Sequence, residues 1–230
     1  MITHKTKKMK FQSKLFVLLL IFILTNCSDY RQRINTSHNQ IDTLKENILL
    51  VRLNTFDEKV KRLGQTKGKL VANKERAAID ARNDLILKSF ENHFDFCSVY
   101  FFYSADGSDL KAGHLSAVTF YNSNWEEVNR KLIRDKTYLV GEFAQTYADQ
   151  LIYEDEEGNR RVAAGTNGLP ALVVLDEDYI QLAKPFPSEI RLAFSDEEKA
   201  VYELNKALHR FYGTAQKKKI RRALRKKSRG

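Results

Sequence analysis

Residues 37–63, SHNQIDTLKENILLVRLNTFDEKVKRL, decide how the rest of the chain is read, because they are the first long stretch with a repeating apolar pattern outside the N-terminal leader. Ser37 followed by Gln40 has capping-box spacing, in which a hydroxyl and an amide satisfy the first free backbone N–H groups of a helix. Ile41, Leu44, Ile48 and Val51 recur at three- and four-residue steps, the period of one helix face. Leu49, Leu53, Phe56, Val60 and Leu63 continue the stripe one position round, while Asp57 and Lys61, or Glu58 and Arg62, are spaced as i,i+4 ion pairs on the exposed side. The spacing predicts a helix over 37–63, apolar on one side but without a clean coiled-coil seam. Gly64 and Gly68 signal its end. Leu70 to Phe94, with Ala77, Ala78, Ala81, Leu85 and Phe90 among strong helix formers, predicts a second helix. A short turn between the two implies an antiparallel helical hairpin over 37–95, either packed on the remainder or serving as a stalk or partner-docking surface.

After Phe96 the period changes from helical to extended. Val99 to Tyr103 is apolar on both faces and predicts a central strand. Ala117 to Tyr121 and Thr137 to Phe143 predict further strands, with a short helix over Trp125 to Ile133 between them. Glu157-Gly158-Asn159-Arg160 has the residues of a hairpin tip. Ala171 to Leu175 and Tyr179 to Ala183 flank Asp176-Glu177-Asp178 as a second hairpin, and Pro185 and Pro187 end the sheet. Ser195 and Glu198 open a closing helix with Asp196 and Glu197 in its first turn. Val201, Leu204, Leu208 and Phe211 line one face of it, and Gly213 is its expected stop. The order predicts an α+β domain over 96–212: a mixed sheet preceded by the helical hairpin and covered by the C-terminal amphipathic helix.

At the N-terminus, Lys5, Lys7, Lys8, Lys10 and Lys14 form a basic head without an acid, and Leu15 to Leu24 is an unbroken apolar run of ten residues. That is the build of a secretory signal peptide over 1–26, and half the roughly twenty residues that a spanning helix needs. Leu24-Thr25-Asn26-Cys27 resembles the lipobox of bacterial lipoproteins, in the looser form found in Bacteroidetes. The resemblance implies that Cys27 becomes the first residue of the mature protein and carries the diacylglycerol and palmitate-type acyl anchor. Residues 27–36 are then a polar tether.

Charge is distributed unevenly. Of the 39 basic residues five lie in the leader and nine in residues 213–230, neither of which holds an acid, so 27–212 carries 25 basic against 29 acidic residues, a net −4. The pI near 9.5 therefore describes the ends and gives no basic cleft in the body. The nine cations of the tail, Lys217, Lys218, Lys219, Arg221, Arg222, Arg225, Lys226, Lys227 and Arg229, surround only Ile220, Ala223 and Leu224. They are candidate contacts for anionic lipid, for lipopolysaccharide or for an acidic envelope protein, attraction to a membrane contributing up to about 1 kcal/mol per cation. A disordered solubilising tail is the alternative. In the cytoplasm the same tail would suit nucleic acid, and the leader argues against that partner.

Catalytic candidates are sparse. Asp106, Asp109 and His114 share one loop and are the oxygen and nitrogen ligands of an alternative reading as a hydrolytic or metal-dependent envelope enzyme. Asp109 also fits a helix N-cap. His93 and Cys97 are four apart across a helix-to-strand change, which breaks the geometry of a Cys/His nucleophile. With Cys27 lipidated, Cys97 has no disulfide partner and reads as a buried thiol. Glu142 interrupts an apolar strand, either as a perturbed acid or as a paired surface group. No Gly-rich phosphate loop, HExxH, GxSxG or CxxC occurs, and no cofactor motif is present.

The order of Val99–Tyr103, the Asp106-Gly107-Ser108-Asp109 loop, Gly168-Leu169-Pro170-Ala171-Leu172 and a closing helix is similar to that of thioredoxin-like domains. Asp106 and Asp109 would stand where those proteins carry redox cysteines, so the resemblance implies a redox-inactive variant. Taken together, the sequence predicts a lipid-anchored lipoprotein of the bacterial cell envelope, facing the periplasm or cell surface, that acts as a binding or assembly module.

Overall fold

The computed structural model describes residues 31–146, 152–154, 160–162, 169–192 and 196–227. The leader, Cys27 and the start of the tether lie outside the described residues. Strand β1 (Ile48–Leu53), an interior strand of the main sheet, lies in the chain between helix α1 (residues 31–46) and helix α2 (Asp57–Lys67). The stretch expected to form one helix is thus helix, strand, helix. Residues 48–53 satisfy a helical template, but they are also a near-continuous apolar run, and burial on both sides decides for the strand. Leu49, Val51 and Leu53 enter one core with Ile41 and Leu44 of α1, and Ile48 and Leu50 enter the other. Asn47 breaks the helix before them, its side chain donating to the Thr43 carbonyl at 2.8 Å. Ser37 lies inside α1 and does not cap it.

Helix α2 turns at Gly68 (φ 89°) into α3 (Lys69–His93), so the helical hairpin is real but begins twenty residues later than the periodicity predicts. The chain then forms β2 (Ser98–Tyr103), a 3₁₀ turn (Ser104–Asp106), the short helices α4 (Gly107–Lys111) and α5 (Lys131–Arg134), β3 (Tyr138–Gln145), β4 (Ile152–Glu154), β5 (Arg160–Val162), β6 (Pro170–Leu175), β7 (Glu189–Arg191) and α6 (Glu197–Lys227). The main sheet has the order β2-β1-β3-β6-β7, with β2 and β3 parallel to β1 and the last two strands antiparallel to their neighbours. This is an α+β fold with a mixed five-stranded sheet. Helices α1, α3 and α6 cover one face, and the second core, with Leu110 of α4 and Ile133 of α5, covers the other.

Several local expectations change. Val99–Tyr103, expected as a central strand because it is apolar on both faces, is the edge strand of the main sheet, with β1 as its one neighbour in that sheet. Residues 117–121 touch β2 through one bridge, Tyr121 to Phe101, while Val118 and Phe120 fill the second core. Trp125–Ile133 is helical only from Lys131. The Asn122 side chain accepts from the Asn124 and Glu126 amides, and this local turn competes successfully with a helix. β4 and β5 pair as the first hairpin, whose tip lies outside the described residues. In the second, Asp176 caps the turn by accepting from Asp178 and Ile180, but only Gln181 bridges back to Leu175. The sheet continues past the prolines into β7, which pairs with β6.

Asp196 caps α6 by accepting from the Lys199 amide at 3.0 Å. The helix passes through Gly213, which lacks the left-handed backbone of a stop. Beyond it, Ala215 is fully buried and Gln216 donates to Asp42 of α1 at 2.7 Å. The expected tail therefore begins as more of α6.

Two neighbouring substitutions test the two-sided burial of β1. Leu49→Ala should cost about 2–5 kcal/mol in urea unfolding. On the adjacent strand, Gly141→Ala places a Cβ at 3.6 Å from Leu49 and Val51, ordinary contact, and should be neutral or stabilise by up to about 1 kcal/mol.

Candidate functional site

β1 leads into α2 and α3 on one face of the sheet, and β2 leads into α4 and α5 on the other. Connections that part in this way open a crevice beyond the carboxyl ends of the strands, the usual ligand position in open sheets with parallel strands. A cleft of about 270 Å³ lies at this end on the α2–α3 side, lined by Asn54, Phe56, Lys59, Glu75, Arg82 and Asn83 with apolar Ala78, Ile79, Ile86 and Phe143. Its polar groups are already engaged. Asn83 donates to the Asn54 carbonyl (3.1 Å), Lys59 pairs with Glu75 (2.6 Å), and Arg82 pairs with the buried Glu197 (2.9 Å). At its rim the Thr55 amide donates to the Ser104 hydroxyl, and Arg76 holds both the Thr55 carbonyl and Asp57. Hydrogen bonds from Thr55 and then Arg76 keep the Asp57 carboxyl below its ordinary range.

On the opposite face of the same strand ends, Arg52 and Glu142 are register partners of β1 and β3 and form a part-buried ion pair at 3.2 Å. The Arg52 guanidinium lies over the Tyr179 ring, 5.4 Å from its centroid, and the Tyr179 hydroxyl donates to the Gly107 carbonyl at 3.0 Å. Burial pushes the Tyr179 phenol up to about 12, so it remains a neutral donor. All three non-glycine residues with positive φ among the described residues sit around this end. Phe56 (47°) lines the cleft, Tyr179 (61°) faces Arg52, and Trp125 (62°) stacks on Tyr103, the last residue of β2. Backbone strain of this kind costs about 1–3 kcal/mol per residue and gathers where surroundings dictate geometry, often at binding sites.

The sequence candidates are placed as follows. Asp106 accepts weakly from the Thr119 amide at 3.4 Å. Asp109 is paired with His114 at 3.5 Å on the exposed surface, so Asp106 and that pair serve different partners. Among the described residues no group of three His, Cys, Asp or Glu side chains is placed to hold a metal ion. Burial pushes the Cys97 thiol up to about 12, far from a reactive thiolate. His93 is engaged by Glu198 at 2.7 Å, not by Cys97. Glu142, read as either a perturbed acid or a paired group, is the partner of Arg52.

In the basic segment, Lys217, Lys218, Lys219 and Arg221 lie on α6, and Lys219 pairs with Asp42. Arg222, Arg225, Lys226 and Lys227 also belong to α6, whereas Arg229 lies outside the described residues. Among the described residues no helix is long and apolar enough to cross a membrane.

Comparison with protein-family models, curated proteins and solved structures returns no significant match to this chain. The crevice therefore rests on its own geometry. Sequence reading passed over Arg52 and Asp42. A signal for Arg52 existed: ILLVRL and YLVGEF each carry one charge, of opposite sign, at the fifth position, as expected of adjacent strands in register.

Removing one member of the pair leaves a part-buried charge. Glu142→Ala should cost about 1–3 kcal/mol in urea unfolding, whereas Arg52→Met with Glu142→Leu should recover most of that loss.

Proposed function

We propose that this chain is a lipid-anchored lipoprotein of the bacterial cell envelope that acts as a binding or assembly module, its body held at a membrane surface through Cys27. The observation that carries the reading is the leader: a lysine head, ten apolar residues, and Leu24-Thr25-Asn26-Cys27 at their end. The tether is short. Residue 31 is already helical, and α1 buries Ile41 and Leu44 in the core, so the anchor would be joined to the body with little slack.

The crevice at the ends of β1 and β3 supports binding over catalysis, because its charged groups are already ion-paired, Lys59 with Glu75 and Arg82 with Glu197 of α6, and much of its lining is apolar. The α2–α3 hairpin supports a docking role. α2 buries no residue, and Phe56, Leu70, Val71 and Leu85 are exposed along the hairpin, with Leu70 at 84%. In this reading α2, together with the outward side of α3, is the partner-facing element, while the inner side of α3 stays packed in the body. The enzyme alternative built on Asp106, Asp109 and His114 is weaker, since the first residue points to a backbone amide and the other two form an exposed pair.

The deciding experiment is the mass and detergent partitioning of the protein taken from its native membrane, beside Cys27→Ala. The wild type should begin at Cys27, carry added acyl mass and enter the detergent phase, and the variant should lose all three properties. A water-soluble wild type retaining Met1 would overturn the proposal.

A further inference from the structure

The buried stripe of α6 runs Val201, Leu204, Leu208 and Ala215, all at 3% exposure or less. Continued at the same three- and four-residue steps it reaches Lys219, Arg222 and Lys226. The helix thus stops being a core helix at Ala215 yet stays helical to Lys227, a further twelve residues or about 18 Å. Nothing in the core calls for that length. On a different side of the same segment, Ile220 and Leu224 stand one turn apart, 59% and 62% exposed, with Ala223 beside them. No acid occurs after Glu203, so the cations of this segment have no intrahelical counter-charge. Among the described residues, Lys219 has an ion pair with the body, and Lys217, Lys218 and Arg221 have none.

We infer that residues 216–227 of α6 form a docking helix for an anionic lipid bilayer, lying flat at the headgroup level with Ile220, Ala223 and Leu224 turned to the acyl boundary. The inference deepens the envelope reading and takes its choice of partner from it. An apolar strip flanked by cations is the pattern of a helix that lies in a membrane interface. Phosphates of a nucleic acid would use the cations and leave Ile220 and Leu224 without a role. Three apolar side chains are too few to bind neutral lipid, so attachment must depend on anionic headgroups and weaken with salt. Gln216 and Lys219, both held by Asp42 of α1, fix the root of the docking helix to the body. A docked α6 would therefore orient the body, and with it the crevice, relative to the bilayer.

The test uses the full protein from its native membrane, placed in vesicles of phosphatidylcholine alone or with about 30% phosphatidylglycerol. Trypsin cleavage after residues 217–227 is followed by mass spectrometry of the C-terminal fragments. Cleavage should be slower by about tenfold or more on the anionic vesicles, and the protection should vanish in about 1 M salt, where the Debye length is near 3 Å. The triple variant Lys217→Glu, Lys218→Glu, Arg221→Glu should be cut equally on both vesicles at Lys226 and Lys227. Equal cleavage of the wild type on both vesicles would overturn the inference, as would stronger protection by duplex DNA at matched charge. The outcome is separable from the anchor. An acylated protein with an unprotected tail keeps the envelope reading and loses the docking helix, and a protected tail on a chain without acyl mass does the reverse.

Discussion

Burial of Ile48–Leu53 on both faces is the constraint from which the rest of the structure follows. A strand with apolar side chains above and below must be covered twice. Leu49, Val51 and Leu53 draw α1, α3 and α6 onto one face, and Ile48 and Leu50 draw the irregular segment from α4 to α5 onto the other. Because both neighbours of β1 run parallel to it, each is reached by a crossover, and the crossovers leave on opposite faces. The crevice at the carboxyl ends lies on the α2–α3 side of this divide, lined from the end of β1, from α2 and α3, and by Phe143 of β3.

The same strand sets the electrostatics of the site. Arg52 is the single charge in β1, and only the register with β3 brings it to Glu142. With Tyr179 under the guanidinium and bonded to Gly107, the pair ties β1, β3, the turn after β6 and α4 together at one end of the sheet. At the other face α6 bonds to α1 through Asp42, so the element that follows the proposed anchor and the one that carries the basic segment are fastened to each other.

Much of this was legible in the residues, and the failures have physical causes. β2, β3, β6, α3 and α6 follow from strong local patterns, and the mixed α+β class follows from their order. β1 was not legible because six apolar-rich residues fit the helical period as well as a buried strand, and only tertiary burial separates the two. The extension of α6 was hidden by Gly213, whose stop signal needs a left-handed backbone that the chain does not adopt. β7 was hidden by its three-residue length and the prolines before it. The Arg52–Glu142 pair depends on register, which single strands do not display, although the opposite charges at the fifth position of both strands hint at it.

The central claim is that one cooperative unit is built on β1, with helices from both sides of it sharing a core. Native-state hydrogen exchange on residues 48–53 tests this most directly. The account predicts that these amides exchange only by global unfolding, with the same opening free energy as the slowest amides of β3 and β6. Exchange of 48–53 through a smaller, independent opening, with β3 and β6 still protected, would contradict it.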